Sequence, residues 1–230
     1  MARVIAGEAG GRRLAVPDGR NTRPTSDRAR EGLFATIVSM VGSLTGTRVL
    51  DLYAGSGAVG LEALSRGAEH VLLVESGARA GRVIRENIEA IGLVGAEVVI
   101  DRVERVLARG PAASVNGGRY DIVFADPPYA LTCAAVSAML TLLLGEDDSA
   151  HTPGGSTPPD PPGPLRREGR ADRGWLAPGA LVIVERATRS GPVSWPAGFT
   201  ADRARRYGEA TFWYGLGPSG SDPHHLPAEP

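Results

Sequence analysis

The 230-residue sequence contains no lysine; all 25 of its basic residues are arginine. That excludes Schiff-base chemistry, a Walker-type phosphate loop and a lysine general base. A single cysteine, Cys133, excludes internal disulfides and cysteine-rich zinc sites, and it suits a reducing compartment. The four histidines (His70, His151, His224 and His225) are too scattered for a metal centre, apart from the pair near the end, so no metal is expected. Long apolar runs are missing too. Met1 to Arg13 lacks the apolar core of a signal peptide. The longest nearly apolar run, Leu131 to Leu144, is too short to span a bilayer and reads as a buried helix. A soluble cytoplasmic protein, with no membrane partner, is the expectation.

Hydrophobic residues make up 42% and charged residues 22%, an ordinary globular composition that is ample for one sizeable core. Glycine (31) and proline (18) are in excess, which places them in loops, linkers or tails. Net charge is only −1, so the molecule as a whole does not attract polyanions. Its distribution is uneven. Residues 1–30 hold seven arginines (Arg3, Arg12, Arg13, Arg20, Arg23, Arg28 and Arg30) against three acids. Such a segment suits phosphate contact, although a solvated loop has the same composition.

Along the chain, Arg3–Ala6 and Arg13–Val16 flank a glycine-rich turn and read as a hairpin, the start of an extension over residues 1–24. Thr25 or Ser26 caps a helix reaching about Val41, with Ala29, Leu33, Phe34, Ile37 and Val41 at helical spacing. The main domain spans 25–216. Strands are expected at Arg48–Leu52, His70–Glu75, Glu97–Ile100, Tyr120–Ala125 and Ala180–Val184. Helices are expected at Gly57–Arg66, Ala78–Ile91, Arg102–Ala108 and Thr132–Leu144. This alternation predicts an α/β fold with a mostly parallel sheet covered by helices on both faces. Thr200–Tyr207 and Ala210–Leu216, split only by Gly208-Glu209, read as an antiparallel hairpin added to the sheet edge. Residues 145–174, rich in proline and charge, read as a disordered insertion, and 217–230 as a disordered tail. Cys133, Trp175, Trp195 and Trp213 read as core or edge residues.

Two places carry chemistry. The first is Val49-Leu50-Asp51-Leu52-Tyr53-Ala54-Gly55-Ser56-Gly57-Ala58-Val59-Gly60, a strand turning into a helix. Gly55 and Gly57 let backbone approach a ligand, and the helix start offers unpaired N–H groups. Glu75 ends the next strand, twenty residues after Gly55, where its carboxylate can accept from two ribose hydroxyls. The same pattern serves NAD-binding oxidoreductases. Asp51 tilts the choice: a carboxylate at that strand end suits an ammonium group, which S-adenosylmethionine (SAM) carries and NAD lacks.

The second is Asp126-Pro127-Pro128-Tyr129, at the end of the Tyr120–Ala125 strand. Two prolines fix the backbone and remove two donors, leaving outward carbonyls beside the Asp126 carboxylate and a flat aromatic ring. That set suits an exocyclic amino group on a planar base. Such an amine has two N–H donors and a lone pair conjugated into its ring. Asp126 and the Pro127 carbonyl can take both hydrogens and stabilise positive charge growing on nitrogen. Tyr129 can stack on the base. Asp126 must be ionised to do this.

With both sites in place, the chain resembles a class I SAM-dependent methyltransferase with an Asp-Pro-Pro-aromatic motif. Arg3-Val4-Ile5-Ala6-Gly7, Gly11-Arg12-Arg13-Leu14, Thr22-Arg23-Pro24-Thr25-Ser26-Asp27-Arg28-Ala29-Arg30-Glu31-Gly32-Leu33-Phe34 and Leu61-Glu62-Ala63-Leu64-Ser65-Arg66-Gly67-Ala68 narrow this to the bacterial RsmD family. The similarity covers about 1–144 and 174–216. It implies a Rossmann-like, seven-stranded fold, SAM as cofactor, and methylation of N2 of one guanine in 16S ribosomal RNA within a small subunit or its assembly intermediate. It also implies that Asp51, Gly55 and Gly57 hold the methionine end of SAM, that Glu75 holds its ribose, that Arg102-Val103 border its adenine, and that Tyr53, Ser56 and Ser76 are cofactor-binding as well. Such enzymes often carry Asp or Asn where Arg102 stands here, and Asp101 lies one place early. Asp126, Pro127 and Tyr129 would handle the base, and Arg12, Arg13, Arg23, Thr25, Arg28 and Arg30 would clamp RNA. A monomer is expected.

Other readings predict other features. A DNA adenine-N6 methyltransferase needs a sequence-reading domain, and the span from Gly57 to Ala125 is filled by sheet elements. A glutamine or protein N-methyltransferase fits the acceptors but not the basic start. An NAD enzyme needs a hydride site, for which no His or Lys is placed. A non-catalytic RNA-binding module has no use for both sites.

Overall fold

The computed structural model describes residues 2–17, 26–111, 118–145 and 174–219. Expectations for Arg20, Arg23, Thr25, nearly all of the insertion and most of the tail fall outside these residues.

The chain opens with two very short antiparallel strands, β1 (Ala2–Arg3) and β2 (Arg13–Leu14). Helix α1 (Asp27–Val41) is capped by the Ser26 hydroxyl, which accepts from the Ala29 amide at 3.2 Å, and it stops at Gly42. There follow β3 (Arg48–Leu52), α2 (Ala58–Ser65), β4 (His70–Glu75), α3 (Ala78–Ile91), β5 (Ala96–Ile100), α4 (Val103–Arg109), β6 (Tyr120–Ala125), α5 (Cys133–Leu143), β7 (Leu176–Ala187), β8 (Thr200–Tyr207) and β9 (Ala210–Leu216).

Seven strands form one sheet in the order β5-β4-β3-β6-β7-β9-β8. All neighbours are parallel except β7–β9 and β9–β8. The order reverses beside β3, which pairs with β4 on one side and β6 on the other; in such sheets the crevice at the strand carboxyl ends at this point binds ligands. Side chains alternate between two apolar layers. Leu50, Leu72, Val123 and Val182 face one, with α4 and α5, and Val49, Leu73, Phe124 and Ile183 face the other, with α1, α2 and α3. Trp175 is buried in the first layer and its indole N–H donates to the Leu107 carbonyl at 2.9 Å. Cys133 is exposed at the start of α5. Among the described residues no helix is long and apolar enough to cross a membrane.

Two expectations need correction. The hairpin is far shorter than Arg3–Ala6 paired with Arg13–Val16. Its amides are taken elsewhere: those of Ile5 and Ala6 donate to the buried Glu62 carboxylate at 2.6 and 3.0 Å, and that of Ala15 donates to the Asn87 side chain at 2.7 Å. Strand β7 runs well beyond Ala180–Val184. A bulge between its Tyr120↔Leu176 and Ile122↔Leu181 pairings absorbs Pro178-Gly179, which looked like a strand boundary.

The basic N-terminal arm is fastened to the domain. Besides the contacts to Glu62 and Asn87, the Ser65 hydroxyl donates to the Ala6 carbonyl at 2.6 Å and accepts from the Ala9 amide at 2.9 Å. A Cβ at Gly7 would lie 1.8 Å from the Ser65 carbonyl oxygen, so only glycine lets the arm approach α2 this closely.

Candidate active site

At the carboxyl ends of β4, β3, β6 and β7 stand Glu75, Asp51, Asp126 and Glu185. Their parity follows from the register. Asp51 pairs with Phe124 and Leu73, and Phe124 pairs with Ile183. Asp126, Glu185 and Glu75 each lie two residues beyond one of these, so all four carboxylates project from the same face of the sheet as α1 and α2. Among the described residues, no three His, Cys, Asp or Glu side chains are grouped so as to hold a metal ion.

Asp51 is buried, and its Oδ2 accepts from the Gly60 amide at 2.9 Å, in the first turn of α2. Gly60 has no room for a side chain: a Cβ there would lie 2.7 Å from Val71 and 2.9 Å from Leu73. Burial pushes the Asp51 carboxyl up to about 7, with Glu75 adding like-charge repulsion against the Gly60 bond. The loop between them is tightly bent. Tyr53 has φ 61°, Gly55 φ 58° and Gly57, which precedes α2, φ 77°. Tyr53 is a non-glycine residue in the left-handed region, a strain that marks functional loops. Glu75 stays part-buried, its two oxygens accepting from the Gly55 and Gly77 amides at 2.9 and 2.7 Å. Each oxygen keeps a second lone pair for a ligand.

Asp126 is partly buried. Burial, then the Glu185 charge, then the Asp51 charge hold its carboxyl well above the ordinary range. Pro127 is buried, Pro128 exposed, and the Tyr129 ring 54% exposed. A cavity of about 450 Å³ joins the two motifs. Its walls include Asp51, Tyr53, Gly55, Ser56, Glu75, Ser76, Asp126, Pro127 and Tyr129, together with Ala2, Val16 and Pro17 of the arm. Gly57 is not a wall residue; it directly precedes α2 and sets the helix start.

Other expected residues sit elsewhere. Neither Arg102 nor Val103 lines the cavity: Arg102 is exposed beside Glu104 at 3.7 Å, and Val103 is buried in the first turn of α4. Asp101 is tied to Arg109 at 2.8 Å and to the Arg102 amide. Arg12 reaches the Ala90 and Ile91 carbonyls at the end of α3. Arg13 and Arg28 are exposed. Arg30 is 1% exposed and cannot clamp RNA at the surface. It donates to the Arg3 carbonyl at 2.8 Å and to Asp27 at 2.7 Å, and it lines the cavity. Its Nε is buried without a hydrogen-bond partner among the described residues. The sequence does hold a signal for this, since Arg30 lies three, four and seven residues before Leu33, Phe34 and Ile37, on the apolar stripe of α1.

This geometry has relatives. The family model described as "Conserved hypothetical protein 95" matches residues 2–147. The Escherichia coli protein named ribosomal RNA small subunit methyltransferase D is 30% identical over 210 residues, covering 91% of this chain and 87% of its own. The solved structure of the E. coli protein yhhF is 29% identical with TM-score 0.70, covering 94% of this chain and 98% of its own. A Thermus structure is 30% identical with TM-score 0.65, covering 93% and 98%. The residues matched include both chemical motifs and the arm strapped beside them, and on that ground the chain belongs to the family described as Conserved hypothetical protein 95, the RsmD family of methyltransferases.

Proposed function

We propose that this chain transfers a methyl group from SAM to the exocyclic N2 of one guanine in 16S ribosomal RNA, acting as a cytoplasmic monomer on a small subunit or its assembly intermediate. The observation that carries the reading is the side-by-side placement of the two motifs. Leu52 pairs with Ala125, so the glycine turn and Asp126-Pro127-Pro128-Tyr129 leave adjacent strands at the same height and wall one cavity.

The residues present fit SAM. Glu75 matches ribose hydroxyls, Asp51 an ammonium group, and the orphaned Arg30 Nε a carboxylate. Tyr53, Gly55, Ser56 and Ser76 supply the remaining walls. Bound there, SAM supplies an electrophilic methyl carbon. The protein's own work is on the base. Tyr129, exposed at the rim, stacks on the extruded guanine. The ionised Asp126 and the Pro127 carbonyl accept the two N2 hydrogens and hold the nitrogen's lone pair towards the cavity. As positive charge grows on N2, Asp126 stabilises it across a crevice of low polarity and is the carboxylate to which the displaced N2 proton passes. Arg13 and Arg28, both exposed, would meet phosphates, with Arg23 and Thr25 in the same sequence segment.

The test is incubation with labelled SAM and small subunits lacking the modification. Label on N2 of a single guanine supports the proposal. Label on adenine, or on protein, overturns it.

A further inference from the structure

Asp126 and the Pro127 carbonyl account for both hydrogens of an exocyclic amine. They leave the rest of the Watson–Crick edge unread. A guanine carries a third donor there, the ring N1–H, beside N2. An adenine carries a bare acceptor at its N1 instead. A pocket for guanine therefore has a use for one more acceptor next to Asp126, facing the same way.

Glu185 stands there. It lies one residue past the Ala125↔Val184 pairing of β6 with β7, so it is the strand neighbour of Asp126, about 5 Å across the ladder. It projects from the same face, continuing the carboxylate row beyond Asp126 on the side away from Asp51. It is 4% exposed, yet it opens onto a second hollow of about 540 Å³. Tyr129 lines both this hollow and the SAM-sized cavity, so the two meet at the residue proposed to stack on the base. Arg28 and Arg206 stand at the hollow's walls, where the flanking phosphates of an extruded nucleotide would lie. Glu185 is close enough to Asp126 to act on its charge.

We infer that Glu185 accepts the ring N1–H of the target base, making it the residue that selects guanine over adenine. The inference rests on guanine N2 as the methylated atom. The row then reads, strand by strand, Glu75 for ribose, Asp51 for the ammonium group, Asp126 for the reacting amine and Glu185 for the base edge. Glu185 touches no atom whose bonds change, so its effect is on which base is accepted.

The experiment exchanges hydrogen-bond partners. The guanine modified by wild type is first mapped in small subunits. Subunits are then reconstituted with 2-aminopurine at that position, which keeps the 2-amino group and replaces N1–H by an acceptor. Wild type should favour guanine over 2-aminopurine by roughly ten- to hundredfold in kcat/KM. Glu185→Gln, whose neutral amide can accept from guanine N1–H or donate to the 2-aminopurine N1, should narrow the ratio towards unity, with SAM affinity unchanged. Glu185→Ala should lose the preference without gaining 2-aminopurine activity. If wild type methylates guanine and both variants keep its preference, the assignment to Glu185 fails alone. If wild type places no methyl on guanine N2, the proposed function fails first, and this inference with it. SAM affinity in each variant, read by calorimetry, reports that the sheet edge is still folded.

Discussion

The Gly60 amide donates to the Asp51 carboxylate at 2.9 Å, and the missing side chain at Gly60 is what allows α2 to sit that close to the end of β3. Gly60→Ala puts a methyl 2.7 Å from Val71 and 3.2 Å from Asp51. The helix must shift and the carboxylate loses its partner. The expected result is a stability loss of about 1–3 kcal/mol by urea denaturation together with weaker SAM binding by calorimetry. A stable variant with normal SAM affinity would show that the contact does not hold the site.

Asp51 itself is a cost to the fold without ligand. Its folded pKa, about 7, lies above the ordinary carboxylate value of 3.8. Between those values the native state holds a proton that the unfolded chain has released, so stability falls as pH rises towards 7. Asp51→Asn removes the charge and should flatten that slope. Thermal denaturation across about pH 5–8 should find the variant more stable than wild type at the alkaline end, while its SAM affinity drops.

Asp126 sets a different pH dependence. On the proposed mechanism transfer needs its ionised form, and its pKa is raised by burial and by Glu185. The single-turnover rate should therefore rise with pH through an apparent pKa above the normal carboxylate range. Asp126→Asn should cut transfer by about 10²–10³ while SAM still binds. A flat profile in wild type would remove the carboxylate from the chemistry.

Arg30 and Arg28, two residues apart on α1, should separate structure from RNA contact. Arg30→Ala leaves the Arg3 carbonyl without its donor and Asp27 with Arg3 alone, and it should cost about 1–3 kcal/mol of stability and lower SAM affinity. Arg28→Ala, at an exposed position, should leave both unchanged. It should instead weaken RNA binding and reduce the salt slope by about one.

Where local pattern decided structure, it was readable. The strand His70–Glu75, the helix Ala78–Ile91 and the two last strands split by Gly208-Glu209 have the bounds their periodicity implies. Asp51, Glu75 and Asp126 could be read because each ends an apolar strand, and a parallel sheet brings such ends to one edge. What escaped depends on partners far away in sequence. Ile5 gives its amide to Glu62 across 57 positions, and nothing near Ile5 announces it. Arg30 reads as a surface arginine by its charge, although its place on the apolar stripe of α1 is legible locally; only its partners, such as the Arg3 carbonyl, lie far away. Glu185 lies inside a long apolar strand with no glycine or proline beside it, so its place next to Asp126 emerges only from the β6–β7 register.

The arm's fastening has a consequence for energetics. Ala2, Val16 and Pro17 are walls of the cavity, and Arg13 between them faces solvent. A nucleic acid that grips the arm from outside, as proposed above, would press on the same backbone that walls the cavity. Any change that loading one side makes in the affinity of the other works by the same factor in both directions.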